Sequence, residues 1–239
     1  MRGRAVRKSR PFCFCSVMDP RRAKLEEAEA RGNALFDAIE REGLIVPGKR
    51  EDELNEEIHA FARDRFGVKA HWHKRIVRAG PNTVCIFSDD PPVHTIGPED
   101  TVYLDLGPVI EDWEADLGRT YALGRDVEKK RLVTDLPRLF DIVQAHYQAS
   151  PDITADALYA HACRTAEDAG WRFGGVIAGH TIQGKFPHAP LPRDGRMIAA
   201  GNHTRMRDPD SAGNARHWIL EIHLVDEART FGGFYERLL

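Results

Sequence analysis

Hydrophobic residues recur at helical spacing in four stretches of the chain. The stretches 19–43 and 51–66 carry an apolar side, and each is closed by a glycine, the residue that most easily adopts the left-handed conformation at a helix end. The stretches of about 126–148 and 154–169 repeat this pattern, so we expect two pairs of helices. Pro137 inside the third stretch predicts a break or a kink, because proline removes a helical hydrogen bond.

Apolar residues cluster or alternate with the two-residue period of β-strands after each pair of helices. Segments of this kind follow the first pair at 82–87, 101–110 and 112–123, and the strongest, RHWILEIHLVD, lies at 216–226. Two successive rounds of helices followed by strands predict an α+β fold made of two similar halves. We expect a single domain that spans residues 18–239.

The first 17 residues differ from the rest of the chain. They begin with a basic stretch, MRGRAVRKSR, followed by a short apolar run. A signal peptide would have a longer apolar region and a cleavage site of small residues. We therefore expect residues 1–17 to be disordered, or to result from a translation start assigned upstream of Met18.

Composition narrows the class of protein. Apolar residues make up 42% of the 239 residues and charged residues 30%, as in ordinary soluble domains. The formal net charge of -3 gives no basis for a nucleic-acid or membrane partner, and no apolar run approaches the ~20 residues of a transmembrane helix. The four cysteines show no paired spacing, which fits the reducing cytoplasm, where we expect the protein to reside.

Five residues with metal-binding side chains occur in separate, distinctive segments. Asp105 and Asp116 flank a predicted chain reversal near 110–111, and directly opposed residues on neighbouring strands lie ~5 Å apart. Two opposed, partly buried carboxylates repel each other and need a proton or a cation between them. Glu221 lies within the strongest strand pattern, where a carboxylate is rarely buried without a partner. The full set is Asp105, Asp116, His180, Glu221 and Glu236.

Each of the five also has an ordinary explanation when it is considered alone. Acidic residues at strand ends are mostly exposed, a histidine between glycines is often packed for structural reasons, and a glutamate near a terminus is usually solvated. If the five converge, however, four carboxylates and one imidazole can hold two divalent cations, an arrangement typical of hydrolytic sites. Their order and flanking residues favour convergence.

Four segments carry a family resemblance. They are VYLDLG with EADLGRTYALG, AGHTIQGKFPH, HWILEIHLVD and GGFYERLL. In this order they resemble the creatinase/methionine aminopeptidase family of pita-bread metallopeptidases, which includes aminopeptidase P and prolidase. The resemblance covers most of the chain after Met18. It implies an α+β pita-bread fold, a pseudo-twofold pair of αβ halves around a central antiparallel sheet, and a size closer to methionine aminopeptidase than to relatives with an additional N-terminal domain.

The resemblance also implies a role for each metal-binding residue. Asp105 would be the bidentate ligand of one metal ion, and Asp116 and Glu236 would bridge two ions. His180 and Glu221 would complete the second site. A set with many carboxylates and one imidazole favours Mn²⁺, Fe²⁺ or Co²⁺, with Zn²⁺ as a further candidate.

The implied activity is hydrolysis at the N-terminal residue of a peptide, of the aminopeptidase or Xaa-Pro type. Glu221 would act as the general base, and His188 would correspond to the family's downstream active-site histidine, which contacts the substrate. Two alternatives stay open: a creatinase-like hydrolase of a small non-peptide amide, and a peptide-binding protein without catalysis. Trp72 and Trp113 are candidates for a homodimer interface, a pocket wall or the core.

Two departures from the family's pattern concern the substrate-contacting histidines. The family's aminopeptidases usually have a histidine shortly after a Gly-Pro-Asn-like turn, but here that neighbourhood reads Cys-Ile-Phe-Ser at 85–88. His71, His73 and His94 are the nearest histidines that can substitute for it. In addition, His188 lies one position later than the family's spacing implies.

Overall fold

An antiparallel sheet lies at the centre of the computed structural model, which describes residues 19–188 and 195–239. The expectation for residues 1–17 falls outside these ranges. The helices are α1 (Pro20–Arg41), α2 (Glu51–Phe66), α3 (Val127–Ala149) and α4 (Ala155–Asp168), with a 3-10 turn at Gly80–Val84. The strands are β1 (Ile76–Ala79), β2 (Thr101–Leu106), β3 (Val109–Ile110), β4 (Trp113–Glu114), β5 (Leu117–Ala122), β6 (Arg172–Phe173), β7 (Gly179–Ile182), β8 (His217–Val225) and β9 (Gly232–Leu238).

Local sequence signals account for the helix ends. The Asp19 carboxylate accepts a hydrogen bond from the backbone N–H of Arg21, so it caps α1 as an N-cap aspartate should. Gly67 ends α2 in the left-handed conformation, with a φ of 68°. The third helix continues through Pro137, so the predicted break does not occur there. In the described part of the chain, no helix combines the length and apolar character needed to cross a lipid bilayer.

The main sheet has the strand order β1-β2-β5-β9-β8-β6, and β7 also pairs with β8. Two hydrophobic cores lie against it. Helices α1 and α2 pack on β2 and β5 through residues such as Phe36, Leu54 and Leu104, whereas α3 and α4 pack on β8 through Leu136 and Trp218. Each half therefore buries its own pair of helices against a shared sheet.

Alternation along the strands separates the helix-covered face from the opposite face. On β8, Trp218, Leu220, Ile222 and Leu224 all belong to the core under α3 and α4, as the period-two pattern predicts. Glu221 lies between them and therefore points to the opposite face. The same alternation on β2 places Leu104 in the core and Asp105 on that opposite face.

One row of paired residues crosses four strands of the sheet. Asp105 on β2 pairs with Gly118 on β5, Gly118 pairs with Glu236 on β9, and Glu236 pairs with Glu221 on β8. The predicted pairing of Asp105 with Asp116 is therefore displaced by two residues. The small β3–β4 ladder causes this displacement. Its two strands are joined by a turn at Glu111 and Asp112, both of which have a positive φ.

Gly118 leaves room in the middle of the acidic row. A Cβ atom at this position would lie 2.4 Å from Cδ1 of Phe234 and 3.0 Å from Cβ of Glu236. Neither neighbour can withdraw easily, because both belong to the paired strand β9. A side chain at 118 is thus excluded by the same packing that brings three carboxylates into one row.

We expect Gly118→Ala to destabilise the protein by about 1–3 kcal/mol, the usual cost of forcing an extra methyl group into a packed site. The measurement is urea unfolding of the purified variant beside the wild type. An unchanged unfolding midpoint would show that β5 and β9 can separate at no cost and would contradict the close packing described above.

Candidate metal centre

The five sequence-predicted residues lie together around one cavity of about 420 Å³. They come from separate elements: strands β2, β7, β8 and β9, and the segment between β4 and β5. All five lie among the lining residues, which also include apolar side chains from four other segments. The structure thus brings together Asp105, Asp116, His180, Glu221 and Glu236.

Asp116 occupies the centre of this cluster and is only 3% exposed. Its Oδ1 lies 3.0 Å from Nε2 of His73, and its Oδ2 lies 3.4 Å from Nε2 of His180. Two groups of three potential ligands result, each with its donor atoms within 4.8 Å of one another. The first contains His73, Asp105 and Asp116, and the second contains Asp116, His180 and Glu236.

His180 presents one ring nitrogen to the carboxylates. Its Nε2 lies 3.5 Å from Oε1 of Glu221 and 4.0 Å from Oε1 of Glu236. The other ring nitrogen, Nδ1, lies 3.2 Å from the carbonyl oxygen of Thr181. A hydrogen bond from Nδ1 to this carbonyl leaves the Nε2 lone pair free, which is the arrangement of a metal-binding histidine.

His73 is the member of the cluster that the sequence analysis left undecided. Its Nε2 lies 3.7 Å from Oδ1 of Asp105, in addition to its contact with Asp116. Of the other two histidines considered, the ring of His71 packs against a neighbouring imidazole, and His94 pairs with Asp100 at 2.8 Å. The pairing of β1 with β2 brings His73 to the cluster. Since this is a contact between distant segments, no local motif in the sequence marks His73.

Burial and mutual repulsion shape the protonation of the carboxylates. Burial raises the pKa of Asp105 to about 7, although the neighbouring His73 opposes this change. Burial also raises the pKa values of Glu221 and Glu236 well above the usual range, and the charges of Asp105 and Asp116 add to the effect. Without a cation, the cluster therefore retains protons that exposed carboxyl groups would have lost at neutral pH.

The surroundings shift the pKa values of the two imidazoles, His180 and His73, in opposite directions. Burial lowers the pKa of His180, and the charge of Asp116 offsets this only in part. Burial also lowers the pKa of His73, but the carboxylates of Asp116 and Asp105 outweigh it and raise that pKa to about 9. In the absence of metal, His73 is thus the imidazole that carries positive charge among these acidic groups.

Two buried carboxylate oxygens in the cluster have no hydrogen-bond partner within residues 19–188 and 195–239. They are Oδ2 of Asp116 and Oε2 of Glu236. Buried polar atoms are nearly always satisfied, so two such atoms in one group of potential ligands are suited to a bound cation. The oxygen-rich donor set and these two atoms fit a site for divalent cations.

His188 is placed away from the other predicted site residues. Its Nε2 lies 2.7 Å from Oε1 of Glu114, a β4 residue that is 1% exposed, and it is not among the described residues that line the cavity. The second oxygen of Glu114 accepts a hydrogen bond from the backbone N–H of Gly184 at 3.0 Å. Sequence reasoning missed Glu114, and the catalytic role of His188 stays a prediction.

The remaining cavity wall is largely apolar. Three large hydrophobic side chains of the wall are solvent-exposed: Phe87, Val176 and Met197. Ile86 and Ile177 lie beside two of them. Such residues next to a charged cluster are typical of a pocket that receives an apolar group while polar atoms hold the reacting one.

Comparisons with known proteins agree with this architecture. A model of metallopeptidase family M24 matches residues 23–208, a segment that contains Asp105, Asp116 and His180 and ends before Glu221 and Glu236. Among curated protein sequences nothing matches. The fold, by contrast, has clear counterparts among solved structures.

Three of these solved structures show the range of sequence identity and coverage. A prolidase from Thermococcus sibiricus is 21% identical with a TM-score of 0.67, over 90% of this chain and 55% of that one. An Xaa-Pro dipeptidase from Bacillus anthracis is 20% identical with a TM-score of 0.66, over 91% and 57%. A methionine aminopeptidase from Thermotoga maritima is 16% identical with a TM-score of 0.62, over 90% of both chains.

The chain thus spans a little over half the length of the first two structures and matches most of the third. Likeness at these identities concerns the fold, and it confirms the predicted α+β pita-bread architecture. The family match over residues 23–208 confirms the resemblance found in the sequence.

We expect Asp116→Ala to lose most of its bound metal, because this carboxylate belongs to both groups of ligands. The measurement is metal analysis by plasma mass spectrometry on protein purified without chelator. Asp112→Asn is the matched control, since it changes an exposed aspartate in the same hairpin and asparagine tolerates the left-handed backbone there. Full metal content in Asp116→Ala would refute the site.

Proposed function

The chain belongs to metallopeptidase family M24, and on this basis we propose that it is a metal-dependent hydrolase that cleaves peptides at the N-terminal residue. The aminopeptidase or Xaa-Pro type is the form of this activity that the residues favour. The supporting observation is the pair of three-ligand groups that share Asp116 at the base of a partly apolar cavity.

We propose that two divalent cations bind there, with Mn²⁺, Fe²⁺ or Co²⁺ as the best candidates and Zn²⁺ as a further one. Asp105, Asp116, His180, Glu221 and Glu236 would hold them. Such a pair supplies positive charge for a scissile carbonyl and makes a shared water molecule more acidic. The remaining steps belong to the protein's own side chains.

Glu221 is the residue that we assign to proton transfer. It lies opposite Glu236 across the β8–β9 ladder, with its carboxylate facing the cavity and His180 at 3.5 Å. A carboxylate in this position can take a proton from the attacking water and give it to the departing amine, so that one group serves both halves of the hydrolysis. Its position on a central strand keeps its side chain in register with the other acidic groups.

His188 is the residue that we assign to the substrate. Glu114 accepts a hydrogen bond from its ring and is itself held by the backbone of Gly184. This buried carboxylate fixes the orientation of the imidazole that we assign to the substrate. Glu114 thus has a positioning role, whereas His188 would touch the peptide.

The cavity is suited to a small peptide. Its volume of about 420 Å³ is within the usual range for small-molecule sites, and Ile86, Phe87 and Met197 offer apolar surface for a side chain. A substrate side chain packed against these residues would displace water beside the charged cluster and thereby strengthen the electrostatic interactions on which the hydrolysis depends.

The proposed activity is tested with a substrate panel on protein loaded with Mn²⁺ or Co²⁺. We expect release of the N-terminal residue from Xaa-Pro or other short peptides, and we expect Glu221→Gln to lower kcat by ~10²–10⁴-fold, the usual contribution of a general base. Turnover of guanidino or small amide compounds alone would instead support a creatinase-like hydrolase. Metal binding without turnover of either class would support a peptide-binding role.

We expect His188→Gln and Glu114→Gln each to lower kcat at least about tenfold while the bound metal stays constant, because neither residue belongs to the ligand groups. The measurement is steady-state kinetics on the best peptide together with metal analysis. His203→Gln, at an exposed position, is the control. Wild-type kinetics in both variants would remove this pair from the mechanism.

A further inference from the structure

The metal cluster contains a second imidazole that the five-residue pattern does not include. We propose that His73 is a sixth protein ligand and binds, through Nε2, the cation held by Asp105 and Asp116. This inference rests on the proposed two-metal function and deepens it. It assigns one imidazole to each cation, His73 to the first and His180 to the second.

The distances support coordination of one ion. Ligand atoms that each lie ~2.1 Å from a metal are ~3 Å apart at right angles and ~4 Å apart on opposite sides. The Nε2 of His73 lies 3.0 Å from Oδ1 of Asp116 and 3.7 Å from Oδ1 of Asp105. Both distances from Nε2 therefore match the spacing of donors around a single cation, and the ligand atoms of all three residues lie within 4.8 Å of one another.

The orientation of the ring repeats that of His180. Nδ1 of His73 lies 2.8 Å from the carbonyl oxygen of Lys74, and Nδ1 of His180 lies 3.2 Å from the carbonyl oxygen of Thr181. In both cases the carbonyl belongs to the residue that follows the histidine. A hydrogen bond from Nδ1 keeps the proton on that nitrogen, so Nε2, which faces the carboxylates, is the nitrogen that would bind a cation after it releases its own proton.

The surrounding residues pack closely around the imidazole ring of His73. A Cβ atom on Gly107 would lie only 2.3 Å from Nε2 of His73, so the imidazole occupies space that any other residue at 107 would take. Trp72 packs edge-on against both histidines, with centroid distances of 4.6 Å to His73 and 5.7 Å to His180. Its indole N–H donates to the carbonyl of Ala115 at 2.9 Å, which fixes the tryptophan.

A role as ligand fits the position of His73 better than a role in contacting substrate. Its side chain is only 11% exposed, and its Nε2 faces two aspartates rather than the open cavity. The aromatic ring of Phe87 lies 6.0 Å away and supplies cavity wall in the neighbourhood where the family's histidine is absent. The wall is thus apolar there, while an imidazole from a different segment lies in the acidic cluster.

A second imidazole changes the expected metal preference. A group of carboxylates alone suits Mn²⁺, whereas imidazole nitrogen favours Co²⁺ and Zn²⁺. With His73 as a ligand, each three-donor group contains one nitrogen. The first position should therefore discriminate against Mn²⁺ more strongly than it does in a variant without this ring.

The deciding experiment uses the full chain loaded with Co²⁺. Proton NMR should show two solvent-exchangeable, hyperfine-shifted imidazole N–H signals in the wild type and one in His73→Gln. Competition with a chelating indicator should show ~10²-fold weaker binding of one Co²⁺ in that variant. Mutation of a residue that merely hydrogen-bonds to a metal ligand already weakens metal binding by about 10–100-fold, and loss of a ligand should cost at least as much. His71→Gln, two positions earlier and facing His59, should retain both signals and both affinities.

Gly107→Ala is a second variant that keeps the imidazole but displaces it. It should reproduce the loss of one N–H signal, which separates coordination from a general effect of removing a buried ring. One shifted N–H signal in wild-type protein that binds two Co²⁺ ions would overturn the assignment of His73, even if His73→Gln did not fold. Unchanged Co²⁺ binding in Asp116→Ala would instead overturn the proposed two-metal function itself.

Discussion

Repulsion among four carboxylates, three of them buried and Glu221 half-buried, is the constraint on which the rest of the site depends. Three of them lie in one row of the sheet, and Asp116 adds a fourth from the neighbouring loop. Taking these groups out of water raises their free energy, and placing them side by side raises it further. The rigid strand register prevents them from moving apart, so relief must come from protons or from cations.

Several features of the fold follow from that constraint. Gly118 leaves the row without a side chain at its middle position, so that Glu236 can stand between the two halves of the sheet. Backbone carbonyls turn the Nε2 atoms of His73 and His180 towards the acidic oxygens. Trp72 packs against both rings and holds them in place. The helices pack on the opposite face of the strands. Their apolar contacts there offset the destabilising effect of the carboxylates on the acidic face.

Much of the architecture could be predicted because it depends on local signals. The bounds of α2, the cap at Asp19 and the alternation of β8 all follow from residues that are close together in the chain. The five candidate metal ligands were recognisable because each lies in a distinctive segment.

The features that escaped prediction depend on contacts between distant segments. His73 enters the cluster because β1 pairs with β2, a pairing that no local motif encodes. The carboxylate of Glu114 belongs to a short ladder whose two-residue turn also shifted the partner of Asp105 to Gly118. For Pro137, helix packing on both sides outweighed the local penalty of proline.

The shared position of Asp116 has a thermodynamic consequence. In the proposed two-metal centre, one carboxylate with an oxygen towards each imidazole would not serve two cations independently, because the first ion to arrive would change both its charge and its orientation. The affinities of the two positions would then be linked by a single coupling free energy, and each ion would alter the affinity for the other by the same factor. Occupancy at low metal supply would be a joint property of the pair, and one side chain would set the metal concentration at which the proposed centre assembles.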